Sequence, residues 1–252
     1  MDTVVDEIAP DVFRLSTFLE PPGLPFNQYL VRAEEPLLFH TGHRQLFPAV
    51  RAALSRVLDP ERLRWISFGH LEADECGAMN EWLAVAPQAE VTHGALGVQL
   101  SLNDMADRPP RTLADGERVD LGGRVVRWIG TAHVPHGWDS GLLVEETTGT
   151  LLCGDLFTRF GRCGPVDDAD PVGPALDLED RMGATALTPR TAPAIRALAE
   201  LAPSTLGLMH GPAYTGDGAA ALGQLADAYA ERLRRELELA EGAAARSAGT
   251  PG

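Results

Sequence analysis

The sequence predicts a mixed α/β domain, in which strand hairpins and helical crossovers both occur. Two hairpin patterns indicate antiparallel strands: DGERVDLGGRVVRWIGTAH turns at Gly122-Gly123, and SGLLVEETTGTLLCGDLF turns at a Thr-Gly pair. Apolar residues at helical spacing in HRQLFPAVRAALSRVLDPERL and AALGQLADAYAERLRRELELA indicate helices between and after the strands. Because both kinds of connection are present, we do not expect an all-parallel sheet.

The remaining elements follow in chain order. QYLVRAEEPLLFHTG predicts two strands around a Glu-Glu-Pro turn, LRWISFGH a short buried strand, DECGAMNEWLAVAP a helix, AEVTHG a strand, ALGVQLSLNDM a short helix, TAPAIRALAEL a helix and STLGLMHG a strand. Residues 158–183 are rich in Gly, Pro and Asp, which predicts either a lid over a site or a plain surface loop. We expect one domain over residues 1–240 and a disordered tail over 241–252.

Composition excludes several classes of function. The formal net charge of the 252-residue chain is −15, which argues against a nucleic-acid-binding face. All 21 basic residues are Arg, so catalysis by a lysine amine is excluded. The three cysteines form no CxxC pair, and the sequence shows neither a signal peptide nor a membrane-spanning segment. A cytoplasmic protein without membrane association is expected.

Potential metal ligands follow short apolar strands at several points of the chain. His70, Asp155 and His210 come within two residues of a strand end, and His136 follows another strand. Strand ends that meet at one edge of a sheet are where open α/β proteins place their sites. With His70, Glu72 and Asp74 of the HLEADE segment as donors, and with Asp155, His210 and either His133 or His136, the sequence predicts a dinuclear metal site with one bridging carboxylate.

The order H-x-E-x-D, HGWDS, GDLF and HGP resembles the metallo-β-lactamase superfamily, from about Phe26 to Tyr214. The NQYLV…LLFHTG segment fits too, although His40 stands where the superfamily usually has Asp. Most zinc hydrolases of this superfamily have a His at the position of Glu72, whereas a Glu resembles the di-iron branch, the flavodiiron proteins and related oxygen-binding di-iron proteins. The resemblance implies an αββα sandwich of the metallo-β-lactamase type.

The resemblance also implies a role for each ligand. The first iron would take His70, Glu72, His136 and bridging Asp155, and the second would take Asp74, Asp155 and His210. The zinc hydrolases and the di-iron branch both have a His directly after the Asp that corresponds to Asp74, where this chain has Glu75. Glu75 therefore either ligates as a carboxylate or turns away and leaves an open position.

Neighbouring residues carry weaker predictions. His136 and His133 compete for one ligand position; His136 matches the branch motif, which leaves His133 as a core residue or a support for a ligand. Asp139 is expected to support a ligating His or to form a turn. Trp138 would line the site or pack in the core. His40 would line the pocket or lie exposed in its loop.

An oxygen-rich donor set favours two iron ions, with zinc or manganese as the alternative. The sequence therefore supports three hypotheses: a di-iron protein that binds or reduces dioxygen or nitric oxide, a dinuclear zinc or manganese hydrolase of an ester, thioester or phosphodiester, and a non-catalytic di-iron sensor or carrier. Reduction needs an external electron-donor protein, because we expect neither a flavin domain nor a nicotinamide-binding motif. The last helix packs on its own sheet or, as the alternative, forms the interface of a homo-oligomer.

Overall fold

Two seven-stranded sheets stack face to face in the computed structural model, which describes residues 2–248. The strands of the first sheet are β1 (Thr3–Ala9), β2 (Val12–Leu19), β3 (Leu24–Val31), β4 (Leu37–Phe39), β5 (Trp65–Ser67), β6 (Glu90–Gly94) and β7 (Arg111–Leu113). Those of the second are β8 (Arg118–Asp120), β9 (Val125–Gly130), β10 (Gly141–Glu145), β11 (Thr150–Leu152), β12 (Val166–Asp167), β13 (Thr205–Gly207) and β14 (Ala213–Tyr214).

Helices cover both outer faces of this pair of sheets. They are α1 (Phe47–Leu54), α2 (Ala73–Cys76), α3 (Met79–Val85), α4 (Ala95–Gly97), α5 (Asn103–Met105), α6 (Val172–Met182), α7 (Thr191–Ala199) and α8 (Gly218–Ala248). Short 3-10 turns lie at Arg44–Leu46 and Pro60–Arg62, and a π-helical turn at Val98–Leu102 joins α4 to α5. None of the helices within residues 2–248 combines the length and apolar character needed to cross a bilayer.

Strand pairing confirms the predicted mixture of hairpins and crossovers. The first sheet runs in order from β1 to β7, antiparallel as far as β4 and parallel from β4 onwards. The second has the order β12-β14-β13-β11-β10-β9-β8, with parallel pairs only between β11 and β13 and between β12 and β14. The predicted αββα sandwich is therefore confirmed.

Three apolar layers hold the sandwich together. Trp82 of α3 is fully buried between the first sheet and its helices, and Trp128 of β9 is buried between the two sheets. Beyond the second sheet, Leu222 and Leu225 of α8 pack with Ile195 of α7. The predicted apolar stripe of the last helix is thus covered within the chain itself.

Local elements differ from the predictions in three places. The N-terminal hairpin of β1 and β2 was not predicted, because its alternation is interrupted by acidic residues. The segment 158–183 is not a plain loop, since it contains β12 and the whole of α6. Helix α8 continues through residues 241–248 of the predicted tail, and residues 249–252 lie outside the described part of the chain.

The two sheets are joined at one edge by backbone hydrogen bonds. The Gly141 N–H of β10 donates to the Gly69 carbonyl beyond β5 at 2.8 Å, and the Asn27 N–H of β3 donates to the Met209 carbonyl beyond β13 at 3.0 Å. Gly141 also lies so close to Trp128 that a Cβ atom added to it would stand 2.1 Å from Cζ2 of the indole. The strand ends beside this edge therefore have little freedom to shift.

Replacing Gly141 by Ala is expected to lower the free energy of unfolding by about 1–3 kcal/mol, because the new methyl group displaces a buried indole. Gly223→Ala is the matched control: in α8 its added Cβ meets no described atom within 4 Å, and helix propensity predicts a gain of up to about 1 kcal/mol. Chemical denaturation of both variants measures the difference. If the Gly141→Ala variant were as stable as the Gly223→Ala variant, this result would contradict the tight packing of Trp128 against Gly141.

Candidate metal centre

Four loops and one short helix bring the predicted ligands to the shared edge of the sheets. His70 follows β5 by three residues, and Asp74 lies in the first turn of α2. His136 lies in the loop between β9 and β10. Asp155 follows β11 and His210 follows β13, each by three residues. Gly154 adopts a φ of 51°, so the chain turns tightly just before Asp155.

Four of the side chains form one compact cluster. Nε2 of His70 lies 2.8 Å from Oε2 of Glu72, and Nε2 of His136 lies 3.2 Å from the same oxygen. Oδ2 of Asp155 lies 3.2 Å from Nε2 of His136 and 3.6 Å from Nε2 of His70. One ligand atom from each of the four residues lies within 4.8 Å of the others, which is a spacing that a single metal ion can fill.

A second group of donors meets at the other oxygen of Asp155. Nε2 of His210 lies 3.3 Å from Oδ1 of Asp155 and 3.2 Å from Oδ2 of Asp74. Asp155 thus presents one oxygen to each group, which is the arrangement a bridging carboxylate requires.

In His70 and His210, the ring nitrogen that faces away from the cluster contacts an oxygen atom. Nδ1 of His210 lies 2.8 Å from the Pro25 carbonyl oxygen, to which it donates, so Nε2 is left as the ligand atom. Nδ1 of His70 lies 3.2 Å from Oε1 of Glu75. Contacts of this kind fix the orientation of a ligating imidazole and increase its basicity.

The carboxylates raise the pKa values of all three imidazoles. Burial disfavours the charged form of His70, but Glu75 and the neighbouring carboxylates outweigh this and raise its pKa to about 11. Burial also lowers the pKa of His210, but Asp155 and Asp74 outweigh this effect and raise the pKa to about 10. The hydrogen bond to Asp155 is the main reason why the pKa of His136 rises to about 9. The site therefore favours positive charge, which a bound metal ion supplies in place of protons.

Two carboxylates are correspondingly acidic. Hydrogen bonds from His136 and then from His70 lower the pKa of Glu72 to about 2. Burial raises the pKa of Asp155, but the imidazoles of His136 and His210 outweigh it and hold this pKa well below its usual range. Oδ1 of Asp155 is buried, and Nε2 of His210, which lies 3.3 Å away, makes no hydrogen bond of good geometry to it. A buried carboxylate oxygen in this state needs a cation, so these residues fit a metal ion.

Other predicted site residues have different surroundings. His133 is exposed, so it is not a core residue, and it does not line the cavity beside the ligands. Trp138 is 39% exposed and lines a separate groove beside Trp128, which excludes the predicted core position and places it away from the cavity at the ligands. Oδ2 of Asp139 accepts the Leu71 N–H at 3.0 Å and so supports the backbone of the ligand loop.

His40 and Glu75 lie behind the ligands. Both side chains are fully buried, and Nε2 of His40 lies 3.5 Å from Oε1 of Glu75. The predicted alternative of an exposed His40 is therefore wrong. Glu75 contacts His70 and His40 rather than Asp74 or His210, which favours the prediction that it turns away from the metals.

A cavity of about 220 Å³ opens beside the ligands, and sequence reasoning missed most of its wall. Ala175, Leu178 and Met182 of α6 line it on one side, and Tyr229 of α8 lines it on another. The three α6 residues are spaced three and four apart, a helical pattern that the Gly, Pro and Asp residues around it obscured. The prediction of a lid over the site thus receives support from the position of α6.

Two stacked mixed sheets with imidazoles and carboxylates at one shared edge define a metallo-β-lactamase-type domain with a candidate dinuclear metal centre. A family model described as ODP family beta lactamase matches residues 24–168. This match covers more than half of the chain, so the chain belongs to the ODP family.

Relatives and solved structures agree with this assignment. Over 143 residues, which are 55% of this chain and 35% of the relative, the sequence is 27% identical to the rubredoxin-oxygen oxidoreductase of Megalodesulfovibrio gigas. The structure of the rubredoxin:oxygen oxidoreductase from Desulfovibrio gigas superposes with a TM-score of 0.77 at 20% identity, covering 92% of this chain and 62% of that one. A metal-soaked flavodiiron core from Synechocystis sp. PCC6803 gives 0.73 at 21% identity, covering 90% and 60%.

The resemblance to the di-iron branch is therefore confirmed: the homologues are flavodiiron proteins, and the structural neighbours share the fold. The chain spans between 24% and 35% of the length of the curated relatives it matches. The activities and partners of those whole proteins are accordingly matters for proposal.

Metal binding is expected to stabilise the folded chain, because the donors come together only in the native state. At a free Zn²⁺ or Fe²⁺ concentration one hundred times the dissociation constant, the gain is about 2.7 kcal/mol, or about 5–10 °C in Tm. A chelator should reverse it. Asp155→Asn should abolish the gain, whereas Asp104→Asn, an exposed carboxylate outside the site, should keep it. Thermal denaturation with and without metal measures this, and a full gain in the Asp155 variant would contradict the assigned site.

Proposed function

We propose that this chain is a dinuclear non-haem iron protein that binds or reduces dioxygen or nitric oxide with electrons from an external donor. The observation that carries the proposal is the position of Glu72, whose Oε2 faces Nε2 of His70 at 2.8 Å and Nε2 of His136 at 3.2 Å. With Asp155, the first metal position then has as many carboxylates as imidazoles. Such an oxygen-rich set suits iron better than zinc.

The proposed ligands divide between two ions. His70, Glu72, His136 and Asp155 would hold the first, and Asp74, Asp155 and His210 the second. When bound, the iron ions supply the redox chemistry that protein side chains lack. The chain itself provides anionic charge that stabilises the oxidised ions, and Asp155 ties the two positions together.

The cavity supports a small apolar substrate. Leu24, Phe26, Phe157 and Leu178 contribute apolar surface beside the ligands. Such walls exclude water and favour an uncharged diatomic molecule over an ion. The polar groups of this wall include the Tyr229 hydroxyl, which lies 2.9 Å from the Thr185 hydroxyl, and burial raises the pKa of Tyr229 to about 12. The phenol therefore stays protonated and able to donate a hydrogen bond.

Electrons for reduction have to reach the site from another molecule or domain. One relative is named for rubredoxin and oxygen, and we propose an electron-transfer protein of that kind as the donor. We also propose a cytoplasmic location, since all three cysteines are free thiols. A homo-oligomer remains a prediction.

A hydrolase of an ester, thioester or phosphodiester is the second candidate, and the size of the cavity favours it. A volume of about 220 Å³ exceeds what a diatomic molecule fills and admits an organic group. In that case zinc or manganese would activate a water molecule. The carboxylate at position 72 weighs against this candidate.

Replacing Glu72 by His is expected to shift metal selection towards zinc, because the first position then has three imidazoles. The metal-free chain is incubated anaerobically with equal Fe²⁺ and Zn²⁺, and the bound metals are measured by mass spectrometry. Dioxygen uptake by the loaded protein is then followed with an oxygen electrode. The variant should retain several-fold less iron than the wild type and take up correspondingly less dioxygen.

Glu61→His provides the matched control, since it makes the same chemical change at an exposed position. Its metal selection should equal that of the wild type. Unchanged iron retention in the Glu72 variant would count against the proposal, and turnover of esters or phosphodiesters by zinc-loaded wild type would favour the hydrolase.

A further inference from the structure

Glu75 is the buried carboxylate beside the ligands whose role the family pattern does not explain. It lies in α2 directly after Asp74, and its side chain is fully buried. Its carboxylate contacts the backbone and the Nδ1 edge of His70, whereas Nε2 of the same ring faces Glu72 and Asp155. Glu75 and the metal ligands therefore lie on opposite edges of one imidazole.

The Glu75 carboxylate has a place built for it. Oε2 accepts the backbone N–H of His70 at 2.7 Å, and Oε1 lies 3.2 Å from Nδ1 of that residue. A Cβ atom on Gly69 would stand 2.9 Å from Oε2, so the absence of a side chain there makes room for the carboxylate. Nε2 of His40 approaches Oε1 at 3.5 Å from the other side.

The backbone of Glu75 is fixed as well. Its carbonyl oxygen accepts the Thr41 N–H at 2.6 Å and the Thr41 hydroxyl at 3.0 Å. Turning the carboxylate towards Asp74 and His210 would break its contacts to the backbone N–H and the Nδ1 atom of His70 and leave a buried charge without these partners.

His40 and Glu75 are also the two places where the sequence departs from the superfamily pattern. The superfamily usually has Asp at position 40 and His at position 75, whereas this chain has a base, His40, at the former and an acid, Glu75, at the latter. Because these two side chains face each other, the exchange keeps one acid and one base in contact. It also removes an imidazole from the position next to Asp74.

We propose that Glu75 is a positioning residue for His70 and not a metal ligand, so that the two metal positions are unequal. Four side chains of the described chain would hold the first ion, and three would hold the second. The second ion therefore binds more weakly and keeps more of its coordination sphere for water or an exogenous ligand. This inference rests on the metal binding proposed above.

Titration of the metal-free chain with Co²⁺ tests the inference, because calorimetry gives the affinities and visible absorption reports the ligands of each ion. We expect two steps in the wild type, the first at least tenfold tighter. Asp74→Asn identifies the second position, because it removes a ligand that only this position uses. The step that this variant loses is the Asp74-dependent step.

Glu75→Ala should weaken the step that does not depend on Asp74 by about 10–100-fold and change its cobalt spectrum. The affinity of the Asp74-dependent step should stay unaltered. Glu75→Gln keeps the size and one hydrogen-bond acceptor, and should shift the same step if the alanine variant fails to fold. Glu145→Gln is the matched control, since Glu145 is fully buried in β10 and bonded to the backbone N–H groups of residues 147 and 148. It should change neither step.

Loss of the Asp74-dependent step in the Glu75 variants would overturn the inference, because it would make Glu75 a ligand of the second ion. Two unaltered steps would overturn it too, since His70 would then need no support. The proposed function fails in a different way: a wild-type chain that binds no Co²⁺ would refute the metal site itself.

Discussion

The contact on which the site depends is that of one carboxylate with three imidazoles. Asp155 lies 3.2 Å from His136, 3.3 Å from His210 and 3.6 Å from His70. These residues come from both sheets, and Asp155 reaches them because β11 ends in a turn at Gly154 with a φ of 51°. The fold therefore serves to hold strand ends of two sheets at one edge, and backbone bonds between the sheets keep that edge in register.

The sequence predicted the ligands better than their surroundings. Short apolar strands that end in His or Asp, and the alternation of HLEADE, indicated which side chains meet, because strand ends and local spacing determine their directions. The choice of His136 over His133 needed the resemblance, since both follow the same strand. The orientation of Glu75 was open, because a carboxylate next to Asp74 points to the metals or away from them according to tertiary contacts with Gly69 and His40.

The wall of the cavity was hidden for a related reason. Helix α6 lies in a segment whose Gly, Pro and Asp content is typical of loops, and its helical form depends on packing against the second sheet and α8 rather than on propensity. Local composition fails where tertiary contacts decide the structure. The outcome matters for function, because α6 gives the metal positions an apolar neighbour on one side while carboxylates surround them on the other.

We propose that this donor set selects iron and that the iron reacts with dioxygen. Metal content and the optical spectrum, measured on protein produced in iron-supplemented medium and purified anaerobically, test it most directly. We expect about two iron ions per chain and near-ultraviolet bands that appear on exposure to air. Two zinc ions per chain with a spectrum that air does not change would contradict it.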